Sequence, residues 1–454
     1  MDGILHYVSD YAVGLRYEAL PASVIHQVKR CLVDAVGCAL GAGDAEPVRI
    51  ASDYALTVSA DPGATVLGTR YRTSAELAAF ANGVMVRYLD YNDTGSGGDA
   101  GHPSDSIAAV LAAAEVAAAD LRTLVCAVVI AYEVHGRFAA AGLLKARGWD
   151  PVTWIALASA AGSAKALGLP GECMANALAL TITSNIAMRQ IRHGALSMWK
   201  GAASGYAAGS GLFAAILASR GMTGPHQAFE GKFGLQDLVT GAFELDAFGG
   251  DGRSYKIEDA KFKVFPADYE CQCAVHPALE LRAALDGKTD SIERVIVDTY
   301  HSAVLIAADS ADKWHPATRE TADHSLPFIL AVVLLRGGLW LDDFSEENIK
   351  NFEIQKLMQK IEVRENPEFT RAYPEANCFR IELITRSGQR HVREIRYAKG
   401  HPKDPLSDAE IAAKFRRLAA PVMAQVQIDS VLERLWHLEE AGSVRELMDA
   451  LATH

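Results

Sequence analysis

The sequence predicts a mainly α protein with a smaller α+β part, and three observations carry that prediction. Apolar residues recur at helical spacing from about residue 18 to about residue 250, a β-rich texture begins after about residue 258, and helical periodicity returns beyond residue 400. The chain's 454 residues exceed the size at which a single hydrophobic core usually stops growing, so two domains are expected. The helical domain takes its main part from residues 1–258, the α+β domain spans 259–400, and residues 401–454 form C-terminal helices that return to the helical domain.

Taken in order, Ile25, Val28, Leu32 and Val36 mark one face of a helix that stops at Gly41. Thr73-x-x-Glu76 reads as a capping box opening a helix that carries Leu77, Phe80 and Val84 and ends near Asp90. A Gly-rich loop runs on through His102, after which Pro103, Ser104 and Asp105 supply the start signals of a helix through Val110 and Leu111. Gly201, Gly205 and Gly209 recur every fourth position, which leaves one bare helix face for the close approach of another backbone. The uncharged run Gly201–Ser219 is diluted by glycine and serine and reads as a buried helix, not a membrane span. Arg294-Val295-Ile296-Val297-Asp298-Thr299 reads as a strand. Phe379, Ile381 and Leu383 alternate before a Ser387-Gly388 turn and a return run to Tyr397. Ser407-x-x-Glu410 opens the first C-terminal helix, and the periodicity continues through Phe415, Leu418, Leu432, Leu435 and Leu447.

Composition narrows the function. A formal net charge of −12 gives no basic footprint for nucleic acid and repels anionic membrane surfaces, so an anionic substrate needs a local basic pocket. Met1-Asp2-Gly3-Ile4-Leu5 lacks a basic region followed by an apolar signal core, so a cytoplasmic location is expected. The seven cysteines are odd in number and scattered, and only Cys271 and Cys273 lie close, at a spacing that suits neither a zinc pair nor an iron–sulfur run. Gly209-x-Gly211 sits inside a helical run and follows no strand, so it is no dinucleotide loop. No Walker loop, His-Glu-x-x-His or Gly-x-Ser-x-Gly is present.

A few polar residues stand out against this apolar background. Asp90 falls at a helix C-terminus, where the backbone dipole disfavours a carboxylate unless a cation or a function compensates, although Tyr91-Asn92-Asp93-Thr94 also suits a simple polar turn. His102 precedes a helix N-terminus, a position for an anion site or for acid–base work near neutral pH, with a structural histidine as the alternative. Arg189, Arg192 and Lys200 are three cations within an otherwise uncharged Ala/Gly-rich region and point either to a partly buried anion pocket or to pairing with acidic residues elsewhere. Lys263 sits where the helical texture yields to the mixed one; neighbouring Phe262 and Phe265 read as core, and Tyr269 as core or substrate contact.

Several of these segments together resemble the MmgE/PrpD family: Leu89-Asp90-Tyr91-Asn92-Asp93-Thr94, His102-Pro103-Ser104-Asp105, Gly148-Trp149-Asp150, Lys165-Ala166-Leu167-Gly168-Leu169 and Leu196-Ser197-Met198-Trp199-Lys200-Gly201. Gly221-Met222-Thr223-Gly224-Pro225, Phe229-Glu230-Gly231, Lys263 with Phe265-Pro266-Ala267, and Ser325-Leu326-Pro327 extend the likeness over nearly the whole length. The resemblance implies a large helical domain with a smaller α+β lid, a homodimer, and neither a metal nor an organic cofactor. It implies active-site positions at Asp90, Thr94, His102, Lys200 and Lys263. It also implies chemistry beside a carboxylate on a small polycarboxylate, since the family includes 2-methylcitrate dehydratases, cis-aconitate decarboxylases and an iminodisuccinate epimerase.

Three departures weigh against the decarboxylase. Asp150 and Asp268 stand where those enzymes carry histidines, and Ala203 replaces another. Asp150-Pro151 also suits a helix cap followed by a first-turn proline. The expected activity is therefore dehydration of 2-methylcitrate or citrate, with His102 as acid–base group held by Asp90 or Thr94, and Lys263 as electrostatic stabiliser or second proton carrier. Lys200, Lys263, Arg189 and Arg192 are expected to gather the substrate carboxylates, with Asp150, Asp268 and Tyr269 as further substrate contacts. The alternatives are an epimerase and, from another class, a polycarboxylate-binding protein without turnover.

Overall fold

The computed structural model describes residues 2–142 and 144–453, so Met1, where the reading of the N-terminus begins, lies outside the described residues. Two compact units emerge. The first takes residues 2–191, Trp199–Lys261 and 407–453; the second takes Arg192–Met198 and Phe262–Leu406. The chain passes between the units after Lys261 and after Leu406, and Arg192–Met198 joins the second unit. That segment carries no hydrophobic periodicity of its own, and its assignment to the second unit depends on contacts such as Leu196 N–H donating to Thr321 Oγ1 (3.2 Å).

The first unit is a helical assembly built around the Trp199–Ser219 helix, which packs on Ala75–Tyr88 and Val152–Ala166. Its glycines explain the closeness. A methyl group on Gly205 would meet Phe80 O at 2.5 Å and Val84 N at 2.7 Å, and one on Gly209 would meet Glu76 O at 2.8 Å. The helix is mostly buried, as expected, with one exposed face on which Trp199, Tyr206 and Phe213, seven residues apart, are 45%, 56% and 49% exposed. Two helices among the described residues, Leu121–Ala141 and Trp199–Ser219, are long and apolar enough to cross a membrane, and 89% and 72% of their apolar windows are buried inside the fold.

The Thr73/Glu76 capping box does not form. Thr73 is in register with Ala64 in the two-stranded sheet of β1 (Ala64–Thr65) and β2 (Arg72–Thr73), and its hydroxyl donates to Ala55 O at 2.7 Å, so Ser74 becomes the N-cap residue. The Ser407/Glu410 box does form, at the head of Asp408–Ala419. That helix packs on Ala22–Gly41, with Phe415 against Gly37 and a buried Lys414–Asp34 ion pair of 2.6 Å.

The second unit holds a four-stranded sheet of β3 (Ile292–Thr299), β4 (Ile361–Glu365), β5 (Phe379–Thr385) and β6 (Arg390–Ile395), in the order β4-β3-β5-β6. β3 pairs parallel with β4 and antiparallel with β5, and Gly388 at φ 81° makes the turn from β5 to β6. Helices Tyr269–Ala284 and Leu326–Arg336 pack together, and Val295, Val297, Ile381 and Leu383 share their apolar core.

Candidate active site

In the first unit the site begins where a helix stops. Ala75–Tyr88 ends with Leu89 as its C-cap, and Asp90 turns into the left-handed region at φ 51°, a conformation aspartate tolerates better than most residues. Asp90 lies just beyond the negative end of the helix, and two buried cations compensate its carboxylate: Arg87 Nη1 at 2.9 Å and Lys200 Nζ at 3.0 Å. Arg87 and Lys200 are 2% and 1% exposed, so each needs a counter-charge. Asp105 supplies a further carboxylate 3.8 Å from Arg87 Nε, and Asn92 Nδ2 donates to Asp105 Oδ1 and Ser104 Oγ, both at 2.8 Å. Arg87 was not among the candidates read from the sequence. A charged residue three positions before Asp90, within an apolar helix, was the available signal.

The chain next forms a pinned loop. Thr94 and Lys261 exchange backbone hydrogen bonds at 2.9 Å, while Thr94 Oγ1 and Gly95 N–H both donate to Gly101 O, at 3.0 and 2.8 Å. The glycine-rich stretch between them is tied down by Asp99, whose buried carboxylate accepts from Leu144 N–H at 2.8 Å and Lys145 N–H at 3.0 Å. The loop delivers His102, half-buried, with Nδ1 2.7 Å from the Asp93 carbonyl oxygen. A carbonyl oxygen only accepts, so Nδ1 carries a proton, and in the neutral form of the ring Nε2 is then the basic nitrogen.

Beneath the loop lies His135, fully buried, with no hydrogen-bond partner on either ring nitrogen among the described residues. A methyl group on Gly95 would lie 3.4 Å from its Cε1 and one on Gly101 3.1 Å from its Nε2, so both positions are tight against the ring. Burial, with Lys145 nearby, pushes the His135 pKa down to about 3, and the ring stays neutral.

Asp150 is also buried. Its Oδ1 accepts from Val152 N–H at 3.0 Å, but Pro151 and not Asp150 is the N-cap residue of the Val152–Ala166 helix, so the expected cap followed by a first-turn proline is shifted by one residue. Backbone bonds from Asp150 N–H to Ala187 O (2.8 Å) and from Arg189 N–H to Gly148 O (3.0 Å) bring the Arg189 segment alongside.

The second unit holds Lys263, Asp268, Tyr269 and Arg192. Arg189, Arg192 and Lys200 are thus not gathered within one unit, and Lys200 pairs with the acidic residue Asp90. Lys263 is fully buried, and the turn after it is fixed by Gln272, whose amide donates to Phe265 O (2.9 Å) and Ala267 O (3.1 Å). Asp268 caps the Tyr269–Ala284 helix by accepting from Glu270 N–H at 3.0 Å. It also lies 3.5 Å from Nε2 of His324, whose Nδ1 is 2.6 Å from Asp323 Oδ1. Sequence reasoning missed His324, although it adjoins the Ser325-Leu326-Pro327 segment. Tyr269 is buried, and burial holds its hydroxyl protonated. Phe262 is buried and Phe265 packs against the core, as read from the sequence.

The profile of the MmgE/PrpD N-terminal domain matches residues 7–247, and that of the MmgE/PrpD C-terminal domain matches residues 265–438. The chain belongs to the MmgE/PrpD family. Its relatives include a 2-methylcitrate dehydratase of Salmonella typhimurium, 30% identical over 422 residues, 87% of this chain and 85% of the relative. A 2-methylcitrate dehydratase of Cupriavidus necator is 27% identical over 482 residues, 99% of this chain and 97% of the relative. A human cis-aconitate decarboxylase is 27% identical over 446 residues, 94% and 90% of the two chains. The MmgE/PrpD chain described here thus falls in a family of dehydratase and lyase enzymes.

Proposed function

We propose that the protein is a hydro-lyase that dehydrates a small tricarboxylate, 2-methylcitrate or citrate, without a cofactor. The observation that carries the reading is the His102 Nδ1–Asp93 carbonyl hydrogen bond of 2.7 Å, which puts a ring proton on Nδ1 and so makes Nε2 the nitrogen that can take up a proton in the neutral ring. The hydrogen on a carbon beside a carboxylate is weakly acidic, so its removal needs a positioned base and cations that stabilise the enolate-like charge. His102 Nε2 takes that proton, the C–O bond on the adjacent carbon breaks, and hydroxide leaves as water after protonation, giving an alkene. Asp90, Thr94 and Lys200 complete the set in the helical unit. Arg189 in that unit, and Lys263, Arg192, Asp268 and Tyr269 in the second unit, keep the roles that the sequence reading gave them, as does Asp150 in the first. For Lys263 this is electrostatic stabilisation or transfer of the second proton. The relatives named 2-methylcitrate dehydratase support the choice of substrate.

The test is NMR of the purified protein in heavy water with 2-methylcitrate, citrate, cis-aconitate and an iminodisuccinate-type amino acid. Loss of the hydroxyl with formation of an alkene is the expected result. Deuterium uptake with inversion and no alkene would instead make the protein an epimerase, and release of carbon dioxide a decarboxylase. Saturable binding without exchange or product would make it a binding protein.

A further inference from the structure

We propose that Asp93 and Tyr132 form the positioning pair that sets the tautomer and aim of His102; this rests on the reading of His102 as the acid–base group. Asp93 provides the carbonyl that accepts the His102 Nδ1 proton, so the direction of that carbonyl fixes where Nε2 points. The Asp93 side chain is fully buried and held at both oxygens: Ser104 N–H donates to Oδ1 at 3.2 Å, and Tyr132 O–H donates to Oδ2 at 2.7 Å. Ser104 lies two residues beyond His102, so the Asp93 carboxylate and carbonyl grip the histidine's own segment from two sides.

The anchor is rigid. Tyr132 is 1% exposed in the middle of the Leu121–Ala141 helix, and its hydroxyl is also hydrogen-bonded with buried Cys31. Three residues on, on the same helix face, His135 lies under Gly95 and Gly101. One helix therefore supports both approaches to His102: Tyr132 under the residue that takes its proton and His135 under the loop that delivers it. The arrangement is costly, because no lysine or arginine forms an ion pair with Asp93 among the described residues, and its neighbours include Asp34 and Cys31. Burial pushes the Asp93 carboxyl up to about 6. A carboxylate used only for packing would be replaceable by an apolar residue. A Tyr132-to-Asp93-to-His102 series of hydrogen bonds instead orients a base, as a third group commonly does for a catalytic histidine.

The experiment combines ¹⁵N NMR of the His102 ring with kcat, KM and the pH dependence of kcat/KM on 2-methylcitrate, for wild type, Tyr132→Phe, Asp93→Asn and His102→Ala. Tyr132→Phe keeps the packing and removes one donor, and the expected result is partial loss of the Nδ1–H tautomer, a fall in kcat of about tenfold or more, and KM within about twofold. In Asp93→Asn the amide oxygen can still accept from Ser104 N–H while Nδ2 donates to the Tyr132 hydroxyl, so this variant is expected to retain more activity and a greater share of the Nδ1–H tautomer than Tyr132→Phe; it also supplies the NMR readout where Tyr132→Phe fails to fold. An unchanged tautomer and unchanged kcat in Tyr132→Phe, with His102→Ala inactive, would overturn the positioning role and leave the base reading intact. Full turnover in His102→Ala would overturn the base reading, and the positioning role with it.

Discussion

Asp90 shows what a single residue discloses in sequence and what it withholds. A carboxylate at a helix C-terminus asks for compensation, and that much was legible; the partners were not, since Lys200 is distant in the chain and Arg87 looks like one more helical cation. Both are buried against Asp90, so Lys200→Met is expected to destabilise the protein by about 3–5 kcal/mol, because it leaves charge uncompensated in the interior. Urea unfolding measures this, and a change under about 1 kcal/mol would mean that the pair contributes little. His135 was not legible at all, since a lone histidine on an apolar helix reads as core until the fold sets it under Gly95 and Gly101. Asp93 and His135 also give opposite pH dependences. The Asp93 pKa of about 6 lies above the usual 3.8, so between these values the native state holds more protons than the unfolded chain, and this contribution to stability falls as pH rises. The His135 pKa of about 3 lies below 6.5, so its contribution rises with pH across that window and is lost on acidification. Asp93→Asn removes the first effect alone, and its stability relative to wild type is expected to improve by about 2–3 kcal/mol between pH 4 and 6.5. Parallel stability curves would show that Asp93 carries no burial penalty.

Among the elements, those with a strong local period were readable and those made by distant pairing were not. Ala22–Gly41, β3 and the β5–β6 hairpin follow from apolar spacing and a Ser-Gly turn. β4 was missed because Ile361-Glu362-Val363-Arg364-Glu365 is short and charged, and only parallel pairing with β3 makes it a strand. β1 and β2, of two residues each, carry no pattern, and their pairing is what removed Thr73 from its expected cap. The glycine face of Trp199–Ser219 was read correctly from spacing alone. Gly205→Ala is expected to cost about 1–3 kcal/mol, because the added methyl meets the backbone of Ala75–Tyr88 at 2.5 and 2.7 Å and neither helix can yield locally. Gly14→Ala, whose methyl meets nothing within 4 Å, is the control and should be neutral or stabilising in thermal unfolding. Equal effects at the two sites would deny the tight packing.

For the whole molecule, fold class and family were within reach of the sequence because they depend on texture and on motifs spread over nearly its full length. The hydrogen bonds that distinguish a base from a structural histidine were not, since they join residues from the 90–105 loop and the Leu121–Ala141 helix that meet only after folding. The homodimer expected from the family resemblance is a proposal that sedimentation velocity tests directly: a dimer mass at micromolar concentration is the expected outcome, and a monomer would refute it. The central claim is that His102 carries the proton transfer. It is tested most directly by the turnover of His102→Ala on 2-methylcitrate, with circular dichroism to verify the fold. A fall in kcat of about 10²–10⁴-fold in a folded protein is expected, whereas turnover within about twofold of wild type would refute the role of His102.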